Sequence, residues 1–262
     1  MSAFHKLVDP ILAVTGLHKR FGGLVAVAGA GFSVRRGSLT ALIGPNGAGK
    51  TTVFDLITGF VPSDDGTIRF EGGAIDRLPP HRIARLGLVR TFQLTRVFGA
   101  MTVLENLMLA SPNQPGESLL HALTPRRFHR RAELAVRERA LTLLGRFNLR
   151  EKSRDYAGTL SGGQRKLLEL ARALMTSPRM VLLDEPMAGV NRALGRQLLD
   201  YVEELRRTED VTFLFVEHDM DIVMSRADHV VVMAEGSVIV ADNPERVRAD
   251  PRVIEAYLGR AH

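Results

Sequence analysis

The sequence predicts an α/β fold in which a sheet-containing core is interrupted by a helical segment. Short apolar runs typical of buried strands occur early and late in the chain, whereas residues 103–149 have the apolar spacing of helices. Residues 44–52 read Gly-Pro-Asn-Gly-Ala-Gly-Lys-Thr-Thr, which has the form G-x-x-x-x-G-K-[ST] between a predicted strand and a predicted helix. These three observations favour an α/β core built around a phosphate-binding loop.

Strand patterns predominate before this loop and return in the second half of the chain. Strands are predicted over residues 11–15, 26–34, 39–43, 67–70, 180–183, 211–216, 229–234 and 237–241. The last two strands flank Glu235-Gly236, a pair that is typical of a hairpin turn.

Helices are predicted after Lys50, within residues 103–149, and over residues 165–174, where apolar positions keep helical spacing. Residues 111–116 and the pair Thr124-Pro125 predict breaks within the long helical stretch. Near the end, Asp250-Pro251 has the character of a helix cap followed by a first-turn proline. This pair predicts a short helix over residues 252–258 that stops at Gly259.

Composition limits the kinds of protein that this chain can be. With 262 residues, 45% of them hydrophobic, it can bury a sizeable core as one large domain or a domain with an inserted subdomain. Cysteine is absent, which excludes a disulfide framework and a thiolate metal site. No apolar stretch approaches the roughly 18–20 residues that a membrane-spanning helix needs. We therefore expect a soluble cytoplasmic protein.

The net charge of +6 leaves three interpretations of the densest basic cluster, residues 126–131. The cluster could be a solvated helix face, a contact with lipid headgroups or a membrane partner, or a contact with nucleic acid. Tryptophan is absent and no aromatic residues are interleaved to make a base-stacking platform, so nucleic acid is the least favoured partner.

The phosphate-binding loop combines three chemical functions. Its glycines let the backbone fold tightly, so that N–H groups can converge on phosphate oxygens. Lys50 places a positive charge beside the β- and γ-phosphates, and the Thr51 hydroxyl is suited to ligate Mg²⁺. The loop predicts binding of a nucleoside triphosphate, and its candidate contact residues are Gly44, Pro45, Asn46, Gly47, Ala48, Gly49, Lys50, Thr51 and Thr52.

A second candidate anion site lies at the start of the helix predicted over residues 165–174. Ser161, Gly162, Gly163 and Gln164 lead directly into that helix, and a helix N-terminus offers backbone N–H groups to an anion. The same residues could equally form an ordinary helix cap.

Acidic and basic side chains are predicted to meet at one edge of the sheet. Asp184 and Glu185 follow a buried strand, where they could hold Mg²⁺ and polarise an attacking water. His218 follows the next predicted strand within Glu217-His218-Asp219. A histidine in this position is commonly structural, but the carboxyl ends of parallel strands form the edge where ligands bind.

The order of these motifs resembles the ATP-binding-cassette (ABC) ATPase family over nearly the whole chain. The resemblance implies a P-loop ATPase core with an antiparallel β subdomain (residues 1–92 and 160–262) and an inserted helical subdomain (93–159). It also implies a head-to-tail dimer, in which ATP on the loop of one subunit is capped by the helix start at Ser161–Gln164 of the other.

By position, the resemblance further assigns roles in ATP hydrolysis. It implies that Gln93 senses Mg²⁺ and the γ-phosphate, so that Thr51, Gln93 and Asp184 are the expected metal ligands. Glu185 would orient the water, and His218 would contact the γ-phosphate. Phe21 would stack on adenine, although an aromatic residue at a strand end could equally belong to the core.

Several stretches resemble the ATPases of branched-chain amino-acid importers. They are residues 20–27, 89–93, 101–107, 217–220 and 250–259. Alternatives are the ATPase of a urea or amide importer or of lipopolysaccharide export, a non-transport ABC ATPase acting on nucleic acid or ribosomes, and a nucleotide-binding regulator without turnover. Two departures from the family's common pattern are Asn191, where many members carry Asp, and Gly162-Gly163, where many of the importer group carry an aromatic residue.

The resemblance also implies the partners. They are membrane-spanning permease subunits, a second identical or homologous ATPase subunit and, indirectly, a solute-binding protein. The chain is then expected at the inner face of the cell membrane. The apolar residues Leu94, Val97, Phe98 and Met101 are a candidate docking surface or, alternatively, a local core.

Overall fold

A computed structural model describes residues 10–91, 97–112 and 126–258 of the chain. Its strands are β1 Pro10–Phe21, β2 Leu24–Arg35, β3 Leu39–Ile43, β4 Asp65–Phe70, β5 Gly73–Ala74, β6 Leu88–Arg90, β7 Met180–Asp184, β8 Thr212–Val216, β9 His229–Ala234 and β10 Ser237–Asp242. Its α-helices are α1 Lys50–Ile57, α2 Pro80–Arg85, α3 Val103–Leu109, α4 Arg126–Arg146, α5 Gly162–Leu174, α6 Arg192–Glu209, α7 Met220–Arg226, α8 Pro244–Ala249 and α9 Pro251–Leu258. The fold is the α/β fold that the sequence predicts.

A six-stranded sheet has the order β10-β9-β3-β8-β7-β6 and is parallel except between β9 and β10. Every residue of β3, β7 and β8 is buried, as expected of central parallel strands covered on both faces. Their carboxyl ends lead into the phosphate-binding loop, Glu185 and Glu217-His218. The topology therefore brings the three predicted motifs to one edge of this sheet.

A second sheet, of order β2-β1-β4-β5, is antiparallel throughout, as the family resemblance implied. β1 is longer than predicted because it continues past Thr15 through β-bulges, with register shifts between Val14 and Leu17. The predicted hairpin at Glu235-Gly236 is confirmed by the antiparallel pairing of β9 with β10. The core includes Leu12 and Phe32 from the antiparallel sheet, Phe54 from α1, and Leu182 and Leu214 from the six-stranded sheet.

The described residues divide into two compact units. The first holds both sheets and comprises the described residues up to Arg90, Arg179–Ala188 and the residues from Gly195 onward. The second comprises the described residues of Thr91–Pro178 together with Gly189–Leu194. It includes α5, which packs against α3 and α4, so this unit extends beyond the helical subdomain predicted over residues 93–159.

The helices of the second unit begin and end near the predicted breaks. α3 ends at Leu109, and α4 begins at Arg126, directly after Thr124-Pro125. The basic cluster thus opens a helix as predicted, and its Arg130 and Arg131 are exposed. Within the described ranges, no helix is both long enough and apolar enough to cross a membrane.

Candidate functional site

The glycine-rich loop joins β3 to α1 and lies against two neighbouring backbones. A Cβ atom at Gly44 would lie 2.1 Å from the carbonyl oxygen of Met233, and one at Gly49 would lie 2.4 Å from that of Ala26. Side chains other than hydrogen are therefore excluded at both positions. Gly47 has a positive φ of 80°, but its Cβ position is open. The loop is held by close backbone contact on one side and leaves Asn46 and Gly47 exposed.

Lys50 is the first residue of α1, and its ammonium group turns back over the loop. Its Nζ donates to the carbonyl oxygens of Gly44 at 2.7 Å and Pro45 at 2.9 Å. Burial lowers the pKa of this ammonium, while the negative charges of Glu185 and Asp184 oppose the shift. The charges of both predicted carboxylates therefore act on the Lys50 ammonium.

The start of α1 provides further groups for an anion. The first N–H groups of a helix have no partner within it, and the dipole of the helix is positive at this end. Thr51 is exposed and Thr52 partly buried, so the Thr51 hydroxyl is accessible. The predicted order of strand, loop and helix is confirmed.

Asp184 ends β7 in a buried position, with its side chain only 3% exposed. Its Oδ2 accepts a hydrogen bond from the Arg90 guanidinium at 2.7 Å. A second guanidinium nitrogen of Arg90 donates to Asp55 on α1 at 2.5 Å. Arg90 was not among the predicted site residues. An arginine in a short apolar stretch before Thr91 hints at a buried ion pair, but the sequence does not name its acidic partner.

Glu185 and His218 meet across the ends of two neighbouring strands. The Glu185 Oε1 and the His218 Nε2 are 2.7 Å apart. Glu185 has a φ of 48°, a conformation uncommon for residues other than glycine, and its N–H donates to the carbonyl oxygen of Val216 at 3.1 Å. Backbone strain of this kind concentrates at functional sites. The predicted convergence of Glu185 and His218 is thus present in the geometry.

Glu217 supports the segment that follows Glu185. It is buried, and its Oε1 accepts the Met187 N–H at 2.8 Å while its Oε2 accepts the His218 N–H at 3.2 Å. Burial raises the pKa of the Glu217 carboxyl, and these two hydrogen bonds oppose the rise. Asp219 caps α7 by accepting from the N–H groups of Asp221 and Ile222. Of the trio 217–219, Glu217 supports the backbone and Asp219 caps a helix, whereas the exposed His218 faces Glu185.

Phe21 lies at the end of β1, and 48% of its surface is exposed. The alternative that it belongs to the core is therefore wrong. The Nζ of Lys19 lies 5.4 Å from the centre of the Phe21 ring and forms an ion pair with Asp64 at 2.7 Å. The ring is an accessible aromatic surface with a cation held beside it.

In the second unit, Ser161 caps α5 with a reciprocal pair of hydrogen bonds. Its hydroxyl accepts the Gln164 N–H at 3.3 Å, and the Gln164 side chain accepts the Ser161 N–H at 3.0 Å. Gly163 is buried, and a Cβ atom there would lie 1.6 Å from a methyl group of Leu194. Gly162 is exposed, with nothing within 4 Å of its Cβ position. The cap is thus present, and Ser161 and Gly162 remain accessible.

Gln93 lies outside the described residues, as does the candidate docking residue Leu94. Asn191 precedes α6, and its Oδ1 accepts the Leu194 N–H at 2.9 Å, a capping bond that an aspartate would also make. Among the candidate docking residues, Phe98 is 48% exposed and its ring lies 5.1 Å from the Arg172 guanidinium.

The donors at the sheet edge are chemically suited to Mg²⁺. No group of three or more His, Asp or Glu side chains that could hold a metal occurs in the described part of the chain. The Thr51 hydroxyl and the Asp184 carboxylate are nonetheless hard oxygen donors, and Mg²⁺ is commonly held by one or two such groups together with phosphate oxygens. The donor set fits a metal that arrives with a nucleotide.

Comparison with protein families agrees with this geometry. A family model described as "ABC transporter" matches residues 27–188. A second model, described as "Branched-chain amino acid ATP-binding cassette transporter", matches residues 232–262.

The chain also resembles individual proteins along nearly its full length. It is 46% identical over 252 residues to the high-affinity branched-chain amino acid transport ATP-binding protein BraF of Pseudomonas aeruginosa, covering 96% of this chain and 99% of that protein. It is 44% identical over 249 residues to the probable branched-chain amino acid transport ATP-binding protein LivG of Archaeoglobus fulgidus, covering 95% of each.

Two crystal structures show the same fold. One is a nucleotide-free ATP-binding cassette from an ABC transporter, with a TM-score of 0.82 and 40% identity, covering 96% of this chain and 100% of that one. The other is the ADP conformation of an ATP-binding cassette of an ABC transporter, with a TM-score of 0.82 and 38% identity, covering 97% of this chain and 100% of that one.

Proposed function

The chain belongs to the ABC transporter family of ATPases, and we propose that it hydrolyses ATP to power the import of branched-chain or other hydrophobic amino acids. The match of residues 232–262 to the branched-chain amino acid cassette model supports this solute class over urea, amides or lipopolysaccharide. The same match supports a transporter subunit over an ATPase that acts on nucleic acid or ribosomes.

ATP is proposed to bind with its phosphate chain on residues 44–52 and its adenine on the exposed ring of Phe21. The Lys50 ammonium would exchange its bonds to loop carbonyls for bonds to the β- and γ-phosphates. The Thr51 hydroxyl and the Asp184 carboxylate would hold Mg²⁺, with Gln93 as the third expected ligand. When bound, Mg²⁺ neutralises negative charge on the phosphate oxygens.

The observation that carries the proposed hydrolysis is the 2.7 Å separation between Glu185 Oε1 and His218 Nε2. A carboxylate held by a histidine at the sheet edge can orient a water molecule and accept its proton as the water attacks the γ-phosphate. His218 would hold Glu185 in position and contact the γ-phosphate. Glu217 supports both residues through its bonds to the backbone of Met187 and His218.

A complete site is proposed to need two subunits. Ser161, Gly162, Gly163 and Gln164 would contact the γ-phosphate of ATP bound to the opposite subunit. The helix start is accessible, and the first N–H groups of a helix, here those of Gly162 and Gly163, have no partner within it and can meet an anion. ATP would then close the dimer, and hydrolysis would reopen it. The second subunit can be a copy of this chain or a homologous ATPase.

Closure of the dimer must be transmitted to permease subunits in the membrane. We propose that the segment around Phe98 docks on them at the inner face of the membrane, since this large apolar side chain is half exposed. Val97 and Met101 are partly buried, so we assign them to the local core. The docking alternative then applies to Phe98, and the core alternative applies to Val97 and Met101. A separate solute-binding protein would deliver the amino acid.

The variant Glu185→Gln tests the proposed hydrolysis in the purified full-length chain. It should bind ATP with wild-type affinity but release phosphate about 10²-fold more slowly, the range typical of losing a general base. It should also form an ATP-dependent dimer in size-exclusion chromatography. Near-normal turnover would contradict the role of Glu185.

The same variant tests the solute class in cells that lack the native chain. Wild-type protein should restore uptake of radiolabelled leucine, isoleucine and valine, whereas Glu185→Gln should not. Restoration of urea uptake without amino-acid uptake would contradict the proposed solute and leave the ATPase assignment intact. Mass spectrometry of proteins that co-purify from native membranes would identify the permease subunits.

A further inference from the structure

Arg90 is a buried cation held between two carboxylates, Asp184 at the end of β7 and Asp55 on α1. Its side chain is only 6% exposed. The guanidinium donates to Asp184 Oδ2 at 2.7 Å and to Asp55 Oδ1 at 2.5 Å. Because β6 pairs in parallel with β7 and places Arg90 beside Leu182, the arginine side chain extends along the sheet to reach Asp184. One side chain therefore connects the end of β7 to α1.

Helix α1 holds the guanidinium through two successive residues. Asp55 supplies the ion pair, and the guanidinium carbon lies 5.6 Å from the centre of the buried Phe54 ring. The same helix begins with Lys50 and Thr51. A displacement of Asp184 relative to α1 would therefore be resisted by two charge-assisted hydrogen bonds at one guanidinium.

We propose that Arg90 is a positioning residue that fixes the Asp184 carboxylate relative to helix α1 and thereby sets the affinity of the site for Mg²⁺-bound ATP. This inference rests on the proposed role of Asp184 in holding Mg²⁺. Arg90 binds Oδ2 through a nitrogen donor, which orients the carboxylate while its other oxygen keeps its acceptor capacity. Residues that orient a metal ligand in this way tune metal affinity without touching the metal.

Loss of Arg90 would leave Asp184 buried without this guanidinium. The Lys50 ammonium lies close enough for the charges of Asp184 and Glu185 to act on it. An unpaired buried carboxylate is costly, so Asp184 would turn toward Lys50. That new ion pair would occupy both the proposed metal ligand and the lysine that binds phosphate. Binding of ATP with Mg²⁺ should suffer most, because it needs both groups free.

The test measures the affinity of the full-length chain for a fluorescent, non-hydrolysable ATP analogue, with Mg²⁺ and separately in EDTA. Arg90→Met should weaken binding with Mg²⁺ by about 10-fold and binding in EDTA by a clearly smaller factor, because in EDTA only the occupation of Lys50 weakens binding. Arg90→Lys should lie between wild type and Arg90→Met, because one ammonium can retain one of the two ion pairs. An equal loss in both conditions, or no loss with Mg²⁺, would overturn the proposal.

Two further variants separate positioning from general destabilisation. Arg206→Met is the matched control, since Arg206 also pairs with two carboxylates, Asp228 and Glu203, in the same unit. Arg206→Met should lower the melting temperature without changing the ratio between the affinity with Mg²⁺ and the affinity in EDTA. Asp55→Asn keeps the pair of Arg90 with Asp184 but weakens the link to α1, so it should reduce the Mg²⁺-dependent affinity by a smaller factor. No change in Asp55→Asn would refute the link to α1, even if Arg90→Met fails to fold.

Asp184→Asn distinguishes failure of this inference from failure of the proposed function. The variant should remove most of the affinity difference between Mg²⁺ and EDTA. If it does so while Arg90→Met has no effect, the inference about Arg90 is wrong and the metal site stands. If Asp184→Asn leaves the difference unchanged, the proposed metal role of Asp184 fails, and the inference fails with it.

Discussion

Lys50 shows how a single side chain can hold the phosphate-binding loop and still be available to a nucleotide. Its bonds to the carbonyl oxygens of Gly44 and Pro45 have the lengths of ordinary hydrogen bonds. Burial lowers the pKa of the ammonium, and Glu185 and Asp184 counteract this. A triphosphate would add negative charge beside it, so the pKa of Lys50 should rise when nucleotide binds. The positive charge of Lys50 should therefore be more stable in the nucleotide complex than in the free protein.

The loop glycines offer a matched pair for testing which close contacts the fold requires. Gly44→Ala would place a Cβ atom 2.1 Å from the Met233 carbonyl oxygen, a backbone atom that cannot easily move. Gly47→Ala would meet nothing within 4 Å and would suffer mainly from the positive φ of 80°. We expect Gly47→Ala to lower the free energy of unfolding by about 1–2 kcal/mol, and Gly44→Ala by clearly more.

Urea denaturation of both variants and the wild type measures this difference, with nucleotide absent. Equal destabilisation of the two variants would show that strain in the loop backbone, rather than contact with β9, accounts for the requirement for glycine. Nucleotide affinity should be tested only in variants that remain folded.

At the scale of helices and strands, the predictions that the structure confirms rest on patterns within each element's own residues. β3, β8 and β9, the helix at Lys50 and the hairpin at Glu235-Gly236 all follow from apolar runs and turn residues. The strands β5 and β6 and the helices α2, α6, α7 and α8 were not predicted. β6 has three residues, and its role depends on pairing with β7, which lies about 90 residues later in the chain. Local patterns carry no information about such a partner.

For the candidate site too, residues in local motifs were predicted, whereas pairs of residues distant in sequence were not. Gly44, Lys50, Glu185 and His218 were found because their motifs are contiguous or follow predicted strands. The Arg90 ion pairs could not be found, because Asp55 and Asp184 are distant in sequence and acidic residues are common. The packing of Gly163 against Leu194 likewise depends on two segments that only the fold brings together.

Two capping boxes in the described part of the second unit allow a functional role of one to be separated from its structural role. Ser161 caps α5, and Thr102 caps α3 with the same reciprocal bonds to Glu105. Ser161→Ala and Thr102→Ala should each lower the free energy of unfolding by about 1 kcal/mol, the usual cost of losing a cap. If Ser161 also contacts ATP on the opposite subunit, only Ser161→Ala should slow phosphate release, by about 10-fold or more.

Thermal unfolding and a phosphate-release assay on both purified variants supply the two measurements. Comparable activity in the two variants would mean that Ser161 is an ordinary helix cap, the alternative that the sequence left open. Binding of ATP to the isolated monomer should be unchanged in both, because neither hydroxyl is proposed to contact ATP on its own subunit.

At the scale of the whole molecule, the groups proposed to act in hydrolysis are distributed over two compact units. The loop, Asp184, Glu185 and His218 belong to the first unit, and the helix start at Ser161 belongs to the second. A head-to-tail dimer would bring the first unit of one subunit to the second unit of the other. Each of its two sites would then draw on both chains, which makes a specific prediction about mixed dimers.

Mixing two inactive chains should restore part of the activity if the sites are shared. Glu185→Gln removes the proposed base, and Gly162→Asp adds a negative charge at the helix start, where the Cβ position is open. Gly162 is preferred over Gly163, because a side chain at Gly163 would displace Leu194. In a mixed dimer, one site carries both changes and the other carries neither.

Equal amounts of the two chains, combined before ATP is added, should regain up to about a quarter of wild-type phosphate release. Half of the dimers are mixed, and half of the sites in those dimers are intact. Each chain alone is the control, and no recovery at any ratio would contradict either the shared site or the independence of its two copies. A mixture of Glu185→Gln with Lys50→Ala is the negative control for recovery, because both changes lie on the nucleotide-binding side of a site. A mixed dimer of these two chains has no intact site, so it should stay inactive while the Gly162→Asp mixture recovers.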